Sequence, residues 1–373
     1  MTRVLHLVQQ AYPESPGGVE RYLYFLMQKA SNSSSESISN KIEFIQRTSS
    51  SFGIHQPYGI KPQIMGHPFE IENRIKKFIS NNSIDIIHVH HPAPFGLSLL
   101  YKLAEIYPLI LHWHDYFILC QRTQLLDYQS QICSGPSLNK CTICIQNKKK
   151  IIKKLLMPFS MQWRMINAYK LMQTCAAIVI PQSNISKAIP KNFRPKCIVI
   201  PYQSEPEWEL DLNLAKNQKI LTNLKTNSWC VLGGPSYHKG VFDLIDEMKT
   251  INFTGELNIF GEGWNNITKL PSFVRIRGRL LSNKQLDNCS HWIIPSKWKE
   301  TGPLVAIEAY KIGLKIWARK GSISSHMANL CDVSIFDHAR DINTQIKRNH
   351  SKEDLPSWKS ILRSYELLYT KLK

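Results

Sequence analysis

Short apolar runs that stop at small or polar residues and then give way to helix-like segments recur along the chain. Arg3–Val8 is the first, followed by the loop Tyr12–Gly18 and the helical pattern Val19–Ala30. Ile84–His90 ends in His90, His91 and Pro92, and Leu109–Asp115 likewise ends in polar residues. Ala176–Pro181 and Cys197–Pro201 complete this first set. After the polar, poorly periodic stretch 202–227, a second set opens with Trp229–Gly234 and runs through Glu256–Gly261, Val274–Gly278 and His291–Ile294. Strand and helix patterns in alternation predict parallel sheets covered by helices, an α/β fold. The 373 residues suffice for two such domains, each with its own core. Open parallel sheets bind ligands at the carboxyl ends of their strands, so Gly17, Gly18, His90, His91, His114 and Asp115 are placed to share one crevice. No repeat of solenoid period is present.

The hydrophobic fraction of 43% is ordinary for a soluble globular chain, and no apolar run is long enough to span a bilayer. Met1–Val8 is too short and too soon interrupted to serve as a signal peptide. A cytoplasmic location is therefore expected, free or on the inner membrane face. The net charge of +19 favours a polyanionic partner: nucleic acid, anionic lipid or a lipid diphosphate.

The segment Pro295–Ala309 carries the sharpest chemical signal. It sets Glu300 and Glu308 eight residues apart across a turn that opens a helix. Thr301 and Gly302 read as its cap and Pro303 as a residue of its first turn. N–H groups at a helix start attract phosphate. One carboxylate then lies in the loop and the other about a turn into the helix, an arrangement that suits a nucleotide-sugar. An ordinary capped helix with two solvated glutamates produces the same spacing.

Pro-Ser-x-x-x-Glu, seven residues and Glu-Ala resembles the signature of the family-4 retaining glycosyltransferases of the GT-B fold. The resemblance implies two Rossmann-like domains facing across a cleft, with residues 1–202 on the acceptor side and 203–350 on the donor side. It also implies that the helical tail 351–373 returns to the first domain, although a terminal surface helix gives the same pattern. Glu300 would hold donor-sugar hydroxyls and Glu308 the ribose, while Gly302, Pro303, Leu304 and Val305 would bring the helix start to the diphosphate. Gly17-Gly18-Val19-Glu20-Arg21 is similar to the family's N-terminal glycine motif, though a glycine pair is also simply a turn. In Gly233–Gly240, Lys239 matches the lysine that neutralises the leaving phosphate. The family's arginine is replaced by Gly234, which leaves Arg277 or Arg279 as candidate substitutes. The family pattern also places a His-Asp pair at His114-Asp115, with His114 toward the donor sugar and Asp115 orienting it. His90 and His91 read either as acceptor-side residues or as a polar strand end.

Cys120, Cys133, Cys141 and Cys144 fall within one short stretch and include a C-x-x-C. In a cytoplasmic chain this reads as a structural zinc site, with free thiols and disulfides as alternatives. Leu119–Asp127 with these cysteines resembles a subgroup of bacterial surface-polysaccharide glycosyltransferases. Lys148–Lys154 then interleaves lysines with isoleucines, and Phe159, Met161, Trp163, Met165 and Ile166 follow, with Pro158 expected to break or kink the element. Segment 148–170 reads as a basic amphipathic helix on an anionic membrane surface, or as a helix packed on its own domain.

Together these readings predict a retaining hexosyltransferase that moves a sugar from a nucleotide diphosphate donor to a lipid-linked glycan in O-antigen, capsule or exopolysaccharide synthesis. No catalytic metal is expected, because Lys239 and the helix start supply the charge. The competing readings are a GT-B epimerase or phosphorylase, and a nucleic-acid binder with the cysteines as a zinc knuckle.

Overall fold

The computed structural model describes residues 2–8, 17–31, 42–47, 52–55, 63–66, 71–146, 156–205, 228–286, 289–342 and 354–373. The loop before Gly17, the lysine run 148–155 and most of the polar stretch 202–227 lie outside these residues. The chain divides into two compact units, Met1–Gln203 with Pro356–Lys373, and Ser204–Leu355.

The first unit is built on a sheet of order β4-β3-β2-β1-β5-β6-β7-β8. Its strands are β1 Val4–Val8, β2 Ile42–Arg47, β3 Phe52–His55, β4 Gln63–Gly66, β5 Ile86–Val89, β6 Leu109–His112, β7 Ala177–Ile180 and β8 Cys197–Val199. The β2–β3 and β3–β4 pairs are antiparallel and the others parallel. Strands β1, β5, β6 and β7 are buried along their whole length, as expected where helices cover both faces of a parallel sheet. The helices are α1 Gly18–Ser31, α2 Ile71–Asn81, α3 Leu97–Ala104, α4 Leu138–Gln146 and α5 Met157–Thr174. In α3 the buried Leu97, Leu100 and Leu103 recur at helical spacing and face the core. Pro158 sits in the first turn of α5, where its missing N–H is harmless, so it opens this helix and does not kink it.

The second unit contains β9 Ser228–Leu232, β10 Glu256–Phe260, β11 Val274–Gly278, β12 His291–Ile294, β13 Lys315–Arg319 and β14 Val333–Phe336. All pair in parallel, in the order β11-β10-β9-β12-β13-β14. Numbered from β9, this is the doubly wound order 3-2-1-4-5-6. Helices α6 Val241–Thr250, α7 Leu304–Lys311 and α8 Ser325–Leu330 accompany it. Trp229, Val231, Leu244, Met248, Ile259 and Trp317 belong to one buried cluster under α6. The sequence reading omitted β2–β4, β13 and β14. Lys315–Arg319 begins and ends on a cation and Val333–Phe336 exposes much of its length, so neither reads as an uninterrupted apolar run.

The terminal helix α9, Trp358–Leu372, is capped by Ser357, whose Oγ accepts from Ser360 N. Its buried Ile361, Leu362, Tyr365, Leu368 and Tyr369 form one stripe against the first unit. Tyr365 Oη lies 2.9 Å from Tyr22 Oη of α1, both fully buried. No described helix is long and apolar enough to cross a membrane.

Tyr365→Ala removes a buried ring and should destabilise the first unit by about 3–5 kcal/mol. Tyr365→Phe, which strands the Tyr22 hydroxyl, should cost about 1–3 kcal/mol. Urea unfolding followed separately in the two units should show only the first transition move. Coincident loss of both, or of neither, would contradict this packing.

Candidate functional site

The strand order of the second unit reverses between β9 and β12, and such reversals open a crevice at the strand carboxyl ends. Two loops leave the sheet there, Gly233–Gly240 after β9 and Pro295–Pro303 after β12. Gly240 has φ +69°, and a Cβ on it would lie 2.0 Å from the Pro295 carbonyl oxygen. Only glycine tolerates both the left-handed backbone and this approach. Lys297 N donates to His238 O at 2.9 Å, and Lys297 Nζ reaches Asp243 of α6 at 2.6 Å, so the loops are joined on both sides.

That contact brings Lys239 and Glu300 together. Lys239 Nζ lies 2.9 Å from Glu300 Oε1, which also accepts from Ser296 Oγ at 2.7 Å and Trp298 Nε1 at 3.0 Å. Glu300 N donates to Ser322 O at 2.7 Å, fixing the backbone as well. All three side-chain donors address Oε1, which leaves Oε2 for a hydroxyl. Lys239 is partly exposed, and a pair of this kind contributes on the order of 1 kcal/mol or less, so an incoming anion can displace it.

Helix α7 begins at Leu304 with Pro303 as its N-cap, one residue later than the sequence reading placed it. No side chain caps this end, and helix starts present N–H groups without intrahelical acceptors. Gly302, Pro303, Leu304 and Val305 therefore lie at the crevice, with the N–H groups of all but Pro303 as potential donors. Glu308 is fully buried, and its Oε1 accepts from Ser204 Oγ at 2.6 Å.

Arg277 does not substitute for the arginine absent at Gly234. Its Nε donates to Asn258 at 2.6 Å and its Nη2 pairs with Glu256 at 3.2 Å, both on β10 and away from the loops. Arg279 follows β11 in an exposed turn.

In the first unit α1 starts at Gly18, and Gly17 O accepts from Arg21 N at 3.0 Å. Glu20 Oε1 lies 3.9 Å from His91 Nε2. Burial raises the Glu20 carboxyl and lowers His91 to about 4, so their contact is not an ion pair at neutral pH. His90 and His114 belong to a wider ladder that also includes His6, His88 and His112, all buried on one face of β1, β5 and β6 and of the residues directly after them. The sequence reading missed these last three. Their signal was the alternation His88-x-His90 and His112-x-His114 in strands otherwise made of Ile, Leu and Val. His6 Nδ1 lies 2.8 Å from His90 Nε2, His90 Nδ1 lies 2.8 Å from His114 Nε2, and His114 Nδ1 lies 2.5 Å from Tyr202 Oη. Both nitrogens of His114 thus have protein partners, and contact with a sugar requires it to give one up. Asp115 does not orient His114; its Oδ1 accepts from Phe117 N at 2.7 Å, and burial pushes its carboxyl up to about 6.

Cys120, Cys133, Cys141 and Cys144 line one cavity of about 500 Å³ together with Arg164 and Met161. All four are free thiols. Tetrahedral zinc with bonds of about 2.3 Å sets its sulfur ligands about 3.8 Å apart. Among the described residues, the side chains that bring three ligand atoms within 4.8 Å of one another are histidines, and these cysteines are not among them. As placed, the thiols do not fit a closed zinc site. Beside the cavity, α5 turns Phe159 and Trp163 outward, 70% and 64% exposed, while its Met161, Leu171 and Met172 are buried.

Gly240→Ala should cost at least about 1–2 kcal/mol from the left-handed backbone alone. It should also part Lys239 from Glu300, and NMR of the lysine ammonium would report the separation. The histidine ladder generates a second expectation. Burial holds His6 at about 3 and His88, His90, His112 and His114 well below the usual histidine value. These groups stay neutral in the fold but take up protons when unfolded below about pH 6.5. Stability is therefore complete above that pH and falls as pH drops toward the folded values, by up to about 1.4 kcal/mol per pH unit for each histidine. Asp115, raised to about 6, and Glu20, also raised by burial, oppose this against the larger number of histidines. Melting temperatures between pH 7.5 and 5 should drop steeply, and a flat profile would contradict the neutral ladder.

No protein-family model and no curated protein sequence matches this chain. Solved structures match its backbone over its whole length. HepE from Anabaena, in complex with UDP and glucose, is 14% identical; the match covers 100% of this chain and 95% of that one with a TM-score of 0.55. The sucrose-phosphate synthase of Thermosynechococcus elongatus is 12% identical, with 100% and 90% covered and a TM-score of 0.60. The apo form of the lipopolysaccharide outer core galactosyltransferase WaaB is 14% identical, with 100% and 98% covered and a TM-score of 0.54. At these identities the likeness establishes the fold: two α/β units with the architecture of the GT-B glycosyltransferases.

Proposed function

We propose that the protein is a retaining glycosyltransferase of the family-4 type that transfers a hexose from a UDP-sugar to a lipid-linked glycan in surface-polysaccharide synthesis. The observation that carries the reading is the Lys239–Glu300 pair set across the strand-order reversal of the second unit. A cation and a carboxylate there match the two ends of a nucleotide-sugar: Lys239 takes the diphosphate and Glu300 Oε2 the sugar hydroxyls. At the start of α7 the N–H groups of Gly302, Leu304 and Val305 supply further donors to the phosphates. Glu308 exchanges the Ser204 hydroxyl for those of the ribose. HepE, solved with UDP and glucose, supports the choice of base, and WaaB supports the lipopolysaccharide setting.

In the reaction the bond from the sugar C1 to the phosphate oxygen breaks, and a bond from C1 to the acceptor oxygen forms on the same face. The acceptor proton passes to the departing phosphate oxygen, whose charge Lys239 neutralises. No metal is required for this stabilisation. The acceptor belongs to the first unit, on the side of His91. The exposed Phe159 and Trp163 of α5, following directly on the lysine run 148–154, are the anchor to an anionic membrane face. The four thiols line their cavity without forming a three-ligand cluster, and metal analysis of Cys141→Ser beside the wild type tests whether they hold zinc.

Titration with UDP-, GDP- and ADP-sugars should raise the melting temperature with the UDP compounds; occupancy at a hundred times Kd stabilises by about 2.7 kcal/mol. Lys239→Ala should abolish the shift, and Glu300→Gln should keep UDP binding but lower turnover about 10²–10³-fold. If no nucleotide-sugar shifts the melting curve and Glu308→Ala retains full transfer activity, the donor site lies elsewhere. Salt-dependent binding of single-stranded nucleic acid without nucleotide-sugar turnover would favour a nucleic-acid-binding role instead.

A further inference from the structure

The covered face of a parallel sheet is normally filled with Val, Ile and Leu. Here β1, β5 and β6, with the residues that follow them, fill it with five imidazoles. Register pairs His6 with His88, and the Val89–Leu111 pairing puts His90 beside His112. The rings stack closely: His112 and His114 are 3.8 Å apart between centroids, and His90 lies 5.1 Å from each. Four tyrosines surround the group, Tyr22, Tyr202, Tyr365 and Tyr369.

Most nitrogens in the ladder have partners, but His112 stands apart. It is 3% exposed, and neither Nδ1 nor Nε2 finds a hydrogen-bond partner. A neutral imidazole carries one donor and one acceptor, and leaving a buried polar group unsatisfied costs about 1–3 kcal/mol. Two such orphans in a ring that Phe would replace sterically call for a ligand. His90, His112 and His114 each offer one nitrogen, and the three atoms lie within 4.8 Å of one another.

We propose that His90, His112 and His114 bind one divalent transition-metal ion, with zinc the expected occupant. An all-imidazole set of borderline softness suits zinc, copper or nickel and gives little to magnesium or calcium. The supporting contacts are already in place. His90 ligates through Nδ1, which leaves its Nε2 on His6 Nδ1; His114 ligates through Nε2, which leaves its Nδ1 on Tyr202 Oη. Partners on the second ring nitrogen fix the tautomer and orientation of metal-bound histidines. His112 supplies the third nitrogen. Zinc–nitrogen bonds of about 2.0–2.1 Å separate ligating nitrogens by about 3.3 Å, so the 2.8 Å between His90 and His114 opens by about half an ångström on binding. The ion would tie β5 to β6, next to the β1–β5 reversal of the first unit's strand order, and it is separate from the cysteine cavity.

The test uses the full-length protein, stripped with chelator and titrated with Zn²⁺ and Co²⁺. Elemental analysis after dialysis should return one zinc per chain in the wild type and in Cys141→Ser, and none in His112→Phe. The cobalt form should show visible d–d bands without a sulfur-to-metal charge-transfer band. A thiolate band, metal retained by His112→Phe, or no stoichiometric uptake by the wild type would each overturn the site. Stability supplies the control for folding. Stripped His112→Phe should melt at or above the stripped wild type, because two orphaned nitrogens are gone. Zinc should raise the melting temperature of the wild type and of Cys141→Ser, and leave that of His112→Phe unchanged. If His112→Phe fails to fold, the cobalt spectrum of the wild type decides by itself.

Discussion

The near contact between Gly240 and the Pro295 carbonyl governs the second unit's chemistry. The doubly wound order places the ends of β9 and β12 side by side, yet adjacent strands guarantee only that their loops start together. A residue without a side chain, in a left-handed conformation, lets the first loop settle onto the second. Lys239, one position earlier, is thereby set against Glu300. Ser296 and Trp298 then hold the same carboxylate oxygen, so one glycine and two donors fix a charge pair that is itself weak. A weak, well-positioned pair suits a site that must exchange an internal partner for a ligand of the same charge pattern.

The first unit solves a different problem. Its five-histidine ladder occupies the place of an aliphatic core and is sealed by a helix drawn from the far end of the chain. Tyr365 and Tyr369 of α9 meet Tyr22 and His88 through hydroxyl contacts of 2.9 and 2.8 Å. The terminal helix therefore completes a polar core, and the acid sensitivity expected of that core follows first from burial and then from mutual repulsion among the histidines.

Much of this was legible in the sequence, for identifiable reasons. Buried parallel strands are continuous apolar runs, so β1, β5, β6, β7, β9, β10 and β12 were readable, and the loop and helix after β12 announced Glu300 and Glu308 by spacing. Strands with cations at both ends, such as Lys315–Arg319, gave no such run. Residue type also failed where contacts decide. Arg277 had the right charge, but Glu256 and Asn258 hold it elsewhere; Asp115 sat next to His114 but serves the backbone of Phe117. The cysteine spacing suggested zinc, while the fold leaves those sulfurs apart and gathers imidazoles whose common face only strand register reveals.

The central claim is that a nucleotide-sugar is held by the loops after β9 and β12. Amide hydrogen exchange, with and without UDP, tests it most directly. The account predicts slowed exchange at Lys239–Val241 and at Leu304–Ala306, with little change in β10 or β11. Binding of UDP that leaves both segments unchanged, or that protects the first unit instead, would contradict it.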